Sequence, residues 1–364
     1  MDKIAEIWDR VQRCLFPHLR ECLPGMTDEH MRLATILEVI RIEGHVSPSW
    51  VQWFGRKRKD RKALARAFVA KAVHKIPTTK ALVERLRIDA NLRSLCGWEY
   101  PGQVPSESTF SRAFERFAET GLLDQVHAAL VKTYLSDEVV WHISRDSTAI
   151  EAREKPIRKG KKSAQPEPKP KRGRPKKGEG KALAEEKRLT RQRKQTAVDA
   201  LSELPTACDV GTKIDAKGHK TSWIGYKLHL DTGDGGIPLF AVTTSASLHD
   251  SQVAIPMAKV TADRVSSWYD LMDSAYDAKD IREVCQELGH VPIIDMNRRR
   301  SKVVAMESDR ARRYQNRTSA ERVNSRLKDD CGGRMVRVRG KPKVHTHLMF
   351  GVLVIFAEAL LGLL

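Results

Sequence analysis

The sequence predicts an α/β domain preceded by an all-α region and interrupted by a basic insert that is disordered on its own. Three observations carry that prediction. Residues 1–137 show the apolar spacing of helices. From Val139 onward, period-two alternation gives way repeatedly to helical spacing. Within this second texture, after its first strand, residues 152–200 lose almost all large apolar side chains and fill with Lys, Arg, Pro and Gly.

Composition bounds the partners. The chain has 364 residues, 41% of them hydrophobic, enough for one large or two medium domains with real cores. A formal charge of +19 and a pI near 9.8 point to a polyanion, nucleic acid first and an acidic membrane surface second. The six cysteines (Cys14, Cys22, Cys96, Cys208, Cys285 and Cys331) form no CxxC pair, which argues against a zinc ribbon or a disulfide scaffold and suits a reducing compartment. The N-terminal run MDKIAEIWDRVQRC is charged throughout and is not a secretory signal. The apolar run 348–364 is short and broken by Glu358, so it reads as a buried core helix. A soluble, cytoplasmic protein is expected.

In the first region, Ile4, Ile7, Trp8, Val11 and Leu15 form a helical stripe expected to end at Pro17. Cys14, His18 and Cys22 share a ligand-like spacing but lack a fourth partner, and ordinary packing explains them better. The aromatic and basic run from Trp50 to Arg66 suits either DNA phosphates or a solvated face. Ile76-Pro77-Thr78-Thr79 opens a helix reaching Leu92. Pro105-Ser106-Glu107-Ser108 opens another, with Phe110, Phe114 and Phe117 on one side. About 12 residues part these two helices, too many for the tight turn of a helix-turn-helix, so residues 1–137 read as a DNA-end-binding or dimerisation region.

The second region is 138–364. VVWHIS reads as a strand expected to end at Arg145-Asp146-Ser147-Thr148, with Asp146 at its tip. Inside the insert, Arg153 to Lys194 hold 18 Lys/Arg against 5 Glu, a net of +13 and two-thirds of the chain's excess charge. A helix is allowed near 183–204. The run 169–177 contains Arg172-Gly173-Arg174-Pro175 and resembles an AT hook, whose core lies in a narrow minor groove; a generic basic linker fits the same residues. Ser222–Asp231 and Ile237–Ser245 read as a hairpin, and His249-Asp250-Ser251 starts a helix to about Ala262. Ser267–Met272 is a strand ending at Asp273. A helix (279–288), a strand (291–295), a basic loop and a last helix from Tyr314 to Lys328 follow. The order β(insert)-β-β-α-β-α-β-α is that of the ribonuclease-H-like topology. In it the first and fourth strands are neighbours, so Asp146 and Asp273 should end side by side with Glu321 presented from the last helix.

That last helix carries the strongest motif. Tyr314, Arg317, Glu321 and Lys328 follow the spacing Y-x2-R-x3-E-x6-K, and at ~100° per residue they fall within roughly 60° of one another. Ala320, Val323 and Leu327 lie opposite, as a core face. An ordinary amphipathic helix has the same look, with Arg317 pairing Glu321 and Asp273 serving as a helix N-cap.

On these residues the chain resembles a DDE transposase of a bacterial insertion sequence, in the group with the Y-(2)-R-(3)-E-(6)-K motif. Asp146 in RDST, Asp273 in MDSAYDA and Glu321 match the three acids. Ala275 stands where relatives often have glycine, and the short Asp273–Glu321 interval leaves no room for the β-rich insertion of some members. The resemblance implies phosphoryl transfer at DNA ends, with two Mg²⁺ (or Mn²⁺) on Asp146, Asp273 and Glu321 and with Asp146 bridging. It implies phosphate contacts from Arg317 and Lys328 and a backbone contact from Tyr314. The partners implied are double-stranded DNA, as terminal inverted repeats and target, and a second subunit in a synaptic dimer. Asp250 and Asp295 are lower-ranked substitutes for the ligands. A non-catalytic binder of AT-rich DNA and a nuclease without strand transfer are the alternatives.

Overall fold

The computed structural model describes residues 2–23, 25–46, 60–157, 187–214, 218–296 and 305–362. Eight helices come first: α1 (Asp2–Arg10), α2 (Phe16–Cys22), α3 (Asp28–Ile40), α4 (Arg61–Val73), α5 (Thr79–Ile88), α6 (Ala90–Cys96), α7 (Glu107–Thr120) and α8 (Leu122–Leu135). Pro17 does not end the first helix as expected. A wider π turn over Val11–Leu15 carries α1 into α2, which accommodates the missing proline N–H. Trp8 stands 39% exposed rather than in the apolar stripe. The helix expected from 76 to 92 is broken at Asp89, whose carboxylate accepts from Leu92 N at 3.0 Å and so starts α6. Phe110, Phe114 and Phe117 are buried around Phe68 of α4, two of them edge-on to it.

A mixed sheet follows. Its strands are β1 (Val139–Ala152), β2 (Asp209–Ile214), β3 (Lys220–Thr232), β4 (Pro238–Ser245), β5 (Ser266–Met272), β6 (Val291–Ile294) and β7 (Met335–Val336). Helices α9 (Arg188–Lys194) and α10 (Ala197–Ser202) precede β2, α11 (Ser251–Ala262) follows β4, and α12 (Lys279–Glu287) follows β5. After β6 come α13 (Ser308–Tyr314), α14 (Thr318–Asp329) and, beyond β7, α15 (Lys341–Leu361). β1 is central. It pairs antiparallel with β3 and parallel with β5, β4 adds to β3 and β6 to β5. A helical region followed by this sheet is consistent with the ribonuclease-H-like fold expected from the element order.

One expectation needs correction here. β1 does not stop at Asp146. It runs on to Ala152, held by β3 and by the short β7. Helices form at the end of the insert, where the sequence allows one near 183–204: α9 and α10 dock on α11, and α9 also on α12. Arg193 lies against Glu283 and pairs with Glu287 at 2.6 Å, and Lys259 donates to the carbonyls of Gln192, Arg193 and Gln195. The AT-hook-like residues Arg172 and Arg174, and the basic loop after β6, lie outside the described residues.

The run near the C-terminus forms α15, the one helix among the described residues long and apolar enough to cross a membrane. Some 78% of its most apolar window is buried inside the protein, so it is a core helix. It packs on α3, α4, α7 and α8 as well as on β4 and α14, and one apolar core extends from Ile4 to Leu360. Gly351 permits the close crossing with α14, since a Cβ there would meet Cys331 and Leu327 at 2.7 Å.

A buried ion pair fixes the sheet's centre. Arg145 Nε and Nη2 reach Asp231 Oδ1 and Oδ2 at 2.7 and 2.8 Å, with side-chain exposures of 1% and 0%. Thr261 of α11 donates to the same carboxylate at 2.6 Å. Replacing Asp231 with Ala leaves a buried guanidinium unpaired and should cost about 3–5 kcal/mol. Urea unfolding followed by circular dichroism measures it; a loss below about 1 kcal/mol would show that this pair carries little weight.

Candidate active site

Strand alternation decides where Asp146 points. Its neighbour Arg145 enters the face covered by α11, so Asp146 turns to the opposite face, beneath α14. There Asn324 Nδ2 donates to Asp146 Oδ2 at 3.1 Å. One residue pair earlier, Ser144 Oγ meets Asn316 O and Ser319 Oγ, each at 3.3 Å. These contacts seat the α13–α14 segment along β1.

Register brings the second acid alongside. The parallel β1–β5 ladder ends with Arg145 beside Met272, so Asp146 and Asp273 are the next residues on two adjacent strands. Asp273 also caps a short 3₁₀ turn, accepting from Ala275 N at 2.9 Å through Oδ1. The local capping role and the adjacency to Asp146 therefore coexist.

Both carboxyls sit in a medium that resists charge. Burial, chiefly, pushes Asp146 up to about 6; the Ser147 N–H, Arg317 and Lys213 oppose the rise, and Asp273 adds to it. Asp273 is raised first by burial and further by Asp250, against the Ala275 N–H, Arg317 and Lys213. Two acids with raised affinity for protons, side by side, have a deficit of nearby positive charge.

The signature residues do not share one uninterrupted α-helix. A 3₁₀ turn at Gln315–Arg317 separates α13, which ends at Tyr314, from α14. Their side chains still meet: the Arg317 guanidinium lies 5.7 Å from the Tyr314 ring centroid and pairs with Glu321 at 2.5 Å. Arg317 is also held charged by Asp146 and Asp273 against its burial. Tyr314 is half-buried, its hydroxyl raised by burial and by Asp295 and Asp273 while Arg317 opposes. Burial lowers Lys328, with help from Lys213 and Arg334, while Asp329 and Asp146 work against it. Ala320, Val323 and Leu327 are buried, as their spacing predicts.

Glu321 is the exception to the expected convergence. Its side chain is 52% exposed and turned to Arg317. Among the described residues, no group of three or more His, Cys, Asp or Glu is gathered tightly enough to hold a metal. The reason is electrostatic: a third carboxylate gains nothing by joining two underneutralised ones, and it finds a guanidinium within reach instead. The donors themselves suit a hard divalent cation, being carboxylate oxygens short of positive charge nearby.

Sequence reasoning passed over several participants. Asn324 sits one turn beyond Glu321, a spacing that places it on the same face. Lys213 lies on β2, a strand with no clear signal of its own. Asp250, ranked as a substitute ligand, is engaged by Lys227 Nζ at 2.8 Å. The Tyr276 hydroxyl is buried near Asp250, Asp146 and Asp273 with no partner among the described residues.

A family model described as a transposase DDE domain matches residues 141–357, more than half the chain, and one described as a transposase domain (DUF772) matches residues 18–116. The chain belongs to the DDE transposases. No curated protein and no solved structure gives a match. In this transposase, the adjacent Asp146 and Asp273 fall within the matched DDE segment, as does Glu321.

The half-buried Asp146 carboxyl yields a prediction for the metal-free transposase. Because folding raises the Asp146 pKa from 3.8 to about 6, its contribution to stability is greatest below about pH 4 and is lost as pH rises through about 6. Two units at about 1.36 kcal/mol each amount to roughly 3 kcal/mol lost by pH 7.5. In EDTA, Asp146→Asn should therefore gain stability relative to wild type as pH goes from 4 to 7.5, read by denaturant midpoints. A constant difference across that range would contradict the assigned burial.

Proposed function

We propose that this transposase cleaves and rejoins DNA at the terminal inverted repeats of its insertion sequence, using Asp146, Asp273 and Glu321 as ligands for two Mg²⁺ ions, with Mn²⁺ able to substitute. The observation that supports this reading most is the adjacency of Asp146 and Asp273 at the end of the β1–β5 ladder, both short of countercharge. Bound there, the ions would activate the attacking hydroxyl and stabilise the leaving oxygen of an in-line displacement. Asp146 and Asp273 would hold the ions, and Glu321 would exchange its Arg317 partner to join them. Asn324 orients the Asp146 carboxylate. Arg317 and Lys328 bind phosphate oxygens of the cleaved strand, and Tyr314 sets its backbone.

Residues 1–137 then serve DNA-end binding and dimerisation, and 138–364 form the catalytic domain, with the AT-hook-like part of the insert (Arg172, Arg174) following the minor groove. The assembly is a homodimer bridging two element ends, working in the cytoplasm at the nucleoid.

A supercoiled donor plasmid carrying the element's inverted repeats tests the reading. Strand transfer should require Mg²⁺ or Mn²⁺ and fall at least about 10²–10³-fold in Asp146→Asn, Asp273→Asn or Glu321→Gln, the loss expected when one electrostatic stabiliser is removed. Duplex binding without metal should survive in all three. Cleavage without joining would instead indicate a nuclease, and binding with no cleavage in either metal a regulator.

A further inference from the structure

A basic concavity opens where α4, α7 and α15 meet the far end of β1. It encloses about 740 Å³, and Lys71, Lys75, Arg153, Arg337, Arg339 and Lys343 stand in its wall. Some of this charge is answered. Lys75 pairs with Asp330 at 2.6 Å and Lys343 with Glu115 at 2.7 Å, while Asp329 is taken by Arg334. Lys71 and Arg337 are different: among the described residues, neither has a carboxylate within ion-pair distance. Burial first, and then Arg337, bring Lys71 down to about 8. His347 borders the same space; burial and then Lys71 bring it down to about 4, and its Nε2 lies 3.1 Å from Gly332 O. Lys71 is half-buried and Arg337 exposed, and their mutual repulsion favours an anion between them.

We propose that this cleft is a binding site for a phosphate of duplex DNA, with Lys71 and Arg337 as its contacts. Its position favours DNA over a free anion or an acidic peptide. β1 leads from Asp146 directly to the cleft, where Ala152 pairs with Val336 and Arg153 N bonds Val336 O at 3.2 Å. Seven residues of strand span roughly 23 Å. Along a duplex axis, where the phosphates of one strand recur every ~3.4 Å, that equals about seven base pairs. Lys328 and Arg334 lie between, close enough to influence one another and with Lys328 close enough to sense Asp146. A backbone held at the acids and tracked along this line reaches Lys71. The seven-base-pair offset rests on Asp146 marking the reacting phosphate, as proposed above; duplex binding by the cleft does not.

The test uses full-length transposase in EDTA with a 40-base-pair duplex of mixed sequence, followed by fluorescence polarisation at several KCl concentrations. Lys71→Met, Arg337→Gln and the double variant are compared after thermal melts show that each is folded. Each lost phosphate contact should lower the slope of log K against log salt by about 0.9, and the double variant should bind about tenfold more weakly at 150 mM salt. In wild type, duplex should also protect Lys71 from an amine-reactive reagent read by mass spectrometry. An unchanged slope in the folded double variant overturns the proposal, as does protection of Lys71 by inorganic phosphate or polyglutamate but not by duplex. Because no metal or cleavage enters this assay, its failure leaves the reaction assignment standing, and failed strand transfer with an altered slope does the reverse.

Discussion

The buried Arg145–Asp231 pair constrains the site more than any other single contact. In a strand, side chains alternate faces, so fixing one residue fixes the orientation of its neighbours. The guanidinium is locked under α11 by both oxygens of Asp231, and Thr261 holds that carboxylate from the helix. Asp146 therefore has only the α14 face available. A slip of one residue would send Asp146 under α11 and leave an arginine facing Asp273. Burial alone would lower the arginine's affinity for its proton, yet Asp231 and the nearby Asp270 more than restore it. An apolar pair of the same volume would fill this space at no electrostatic cost. It would not tell one register from the next.

The same electrostatics links fold to proposed chemistry. Packing α14 over β1 shields Asp146 and Asp273 from water, and that shielding raises their affinity for positive charge. Arg317 supplies part of it from the 3₁₀ turn, where it also reaches Glu321 and the Tyr314 ring. The arginine is thus shared among three acids, of which the half-exposed Glu321 is the one in direct contact with it. Exposed ion pairs are typically worth only about 0–1 kcal/mol. Rearranging Glu321 consequently costs little beside what two half-buried carboxylates gain when their charge is met.

Much of this was legible in the sequence, and the exceptions have physical reasons. β3, β4, β5 and β6 declared themselves through apolar runs bounded by turn residues, and their order placed Asp146 beside Asp273 before any coordinates. β7 was missed because its partner, β1, is distant in the chain, and β2 because its short polar run DVGTKI shows no strand pattern although it pairs with the next strand, β3. The extension of β1 past Asp146 was hidden by the polar run RDST, which only its neighbours make into a strand. Pro17 looked like a stop, but a widened turn absorbs it. Helical spacing correctly set Ala320, Val323 and Leu327 inside. It could not show that Glu321 prefers Arg317, because that choice depends on how well the two aspartates are neutralised.

The path of α15 explains how distant parts of the chain are tied together. This helix is buried among α3, α4, α7 and α8 on one side, and against β4 and α14 on the other. At Gly351 it crosses α14 so closely that no methyl group fits between them. Close-packed contacts of this kind do not stretch; they hold or rearrange as a unit. Lys71 stands on α4 and Asn324 on α14, so the basic cleft and the carboxylate edge are both braced on α15. A DNA strand spanning the two would be gripped by elements that move together, and the offset between its contacts would be set by the protein's core rather than by a loop.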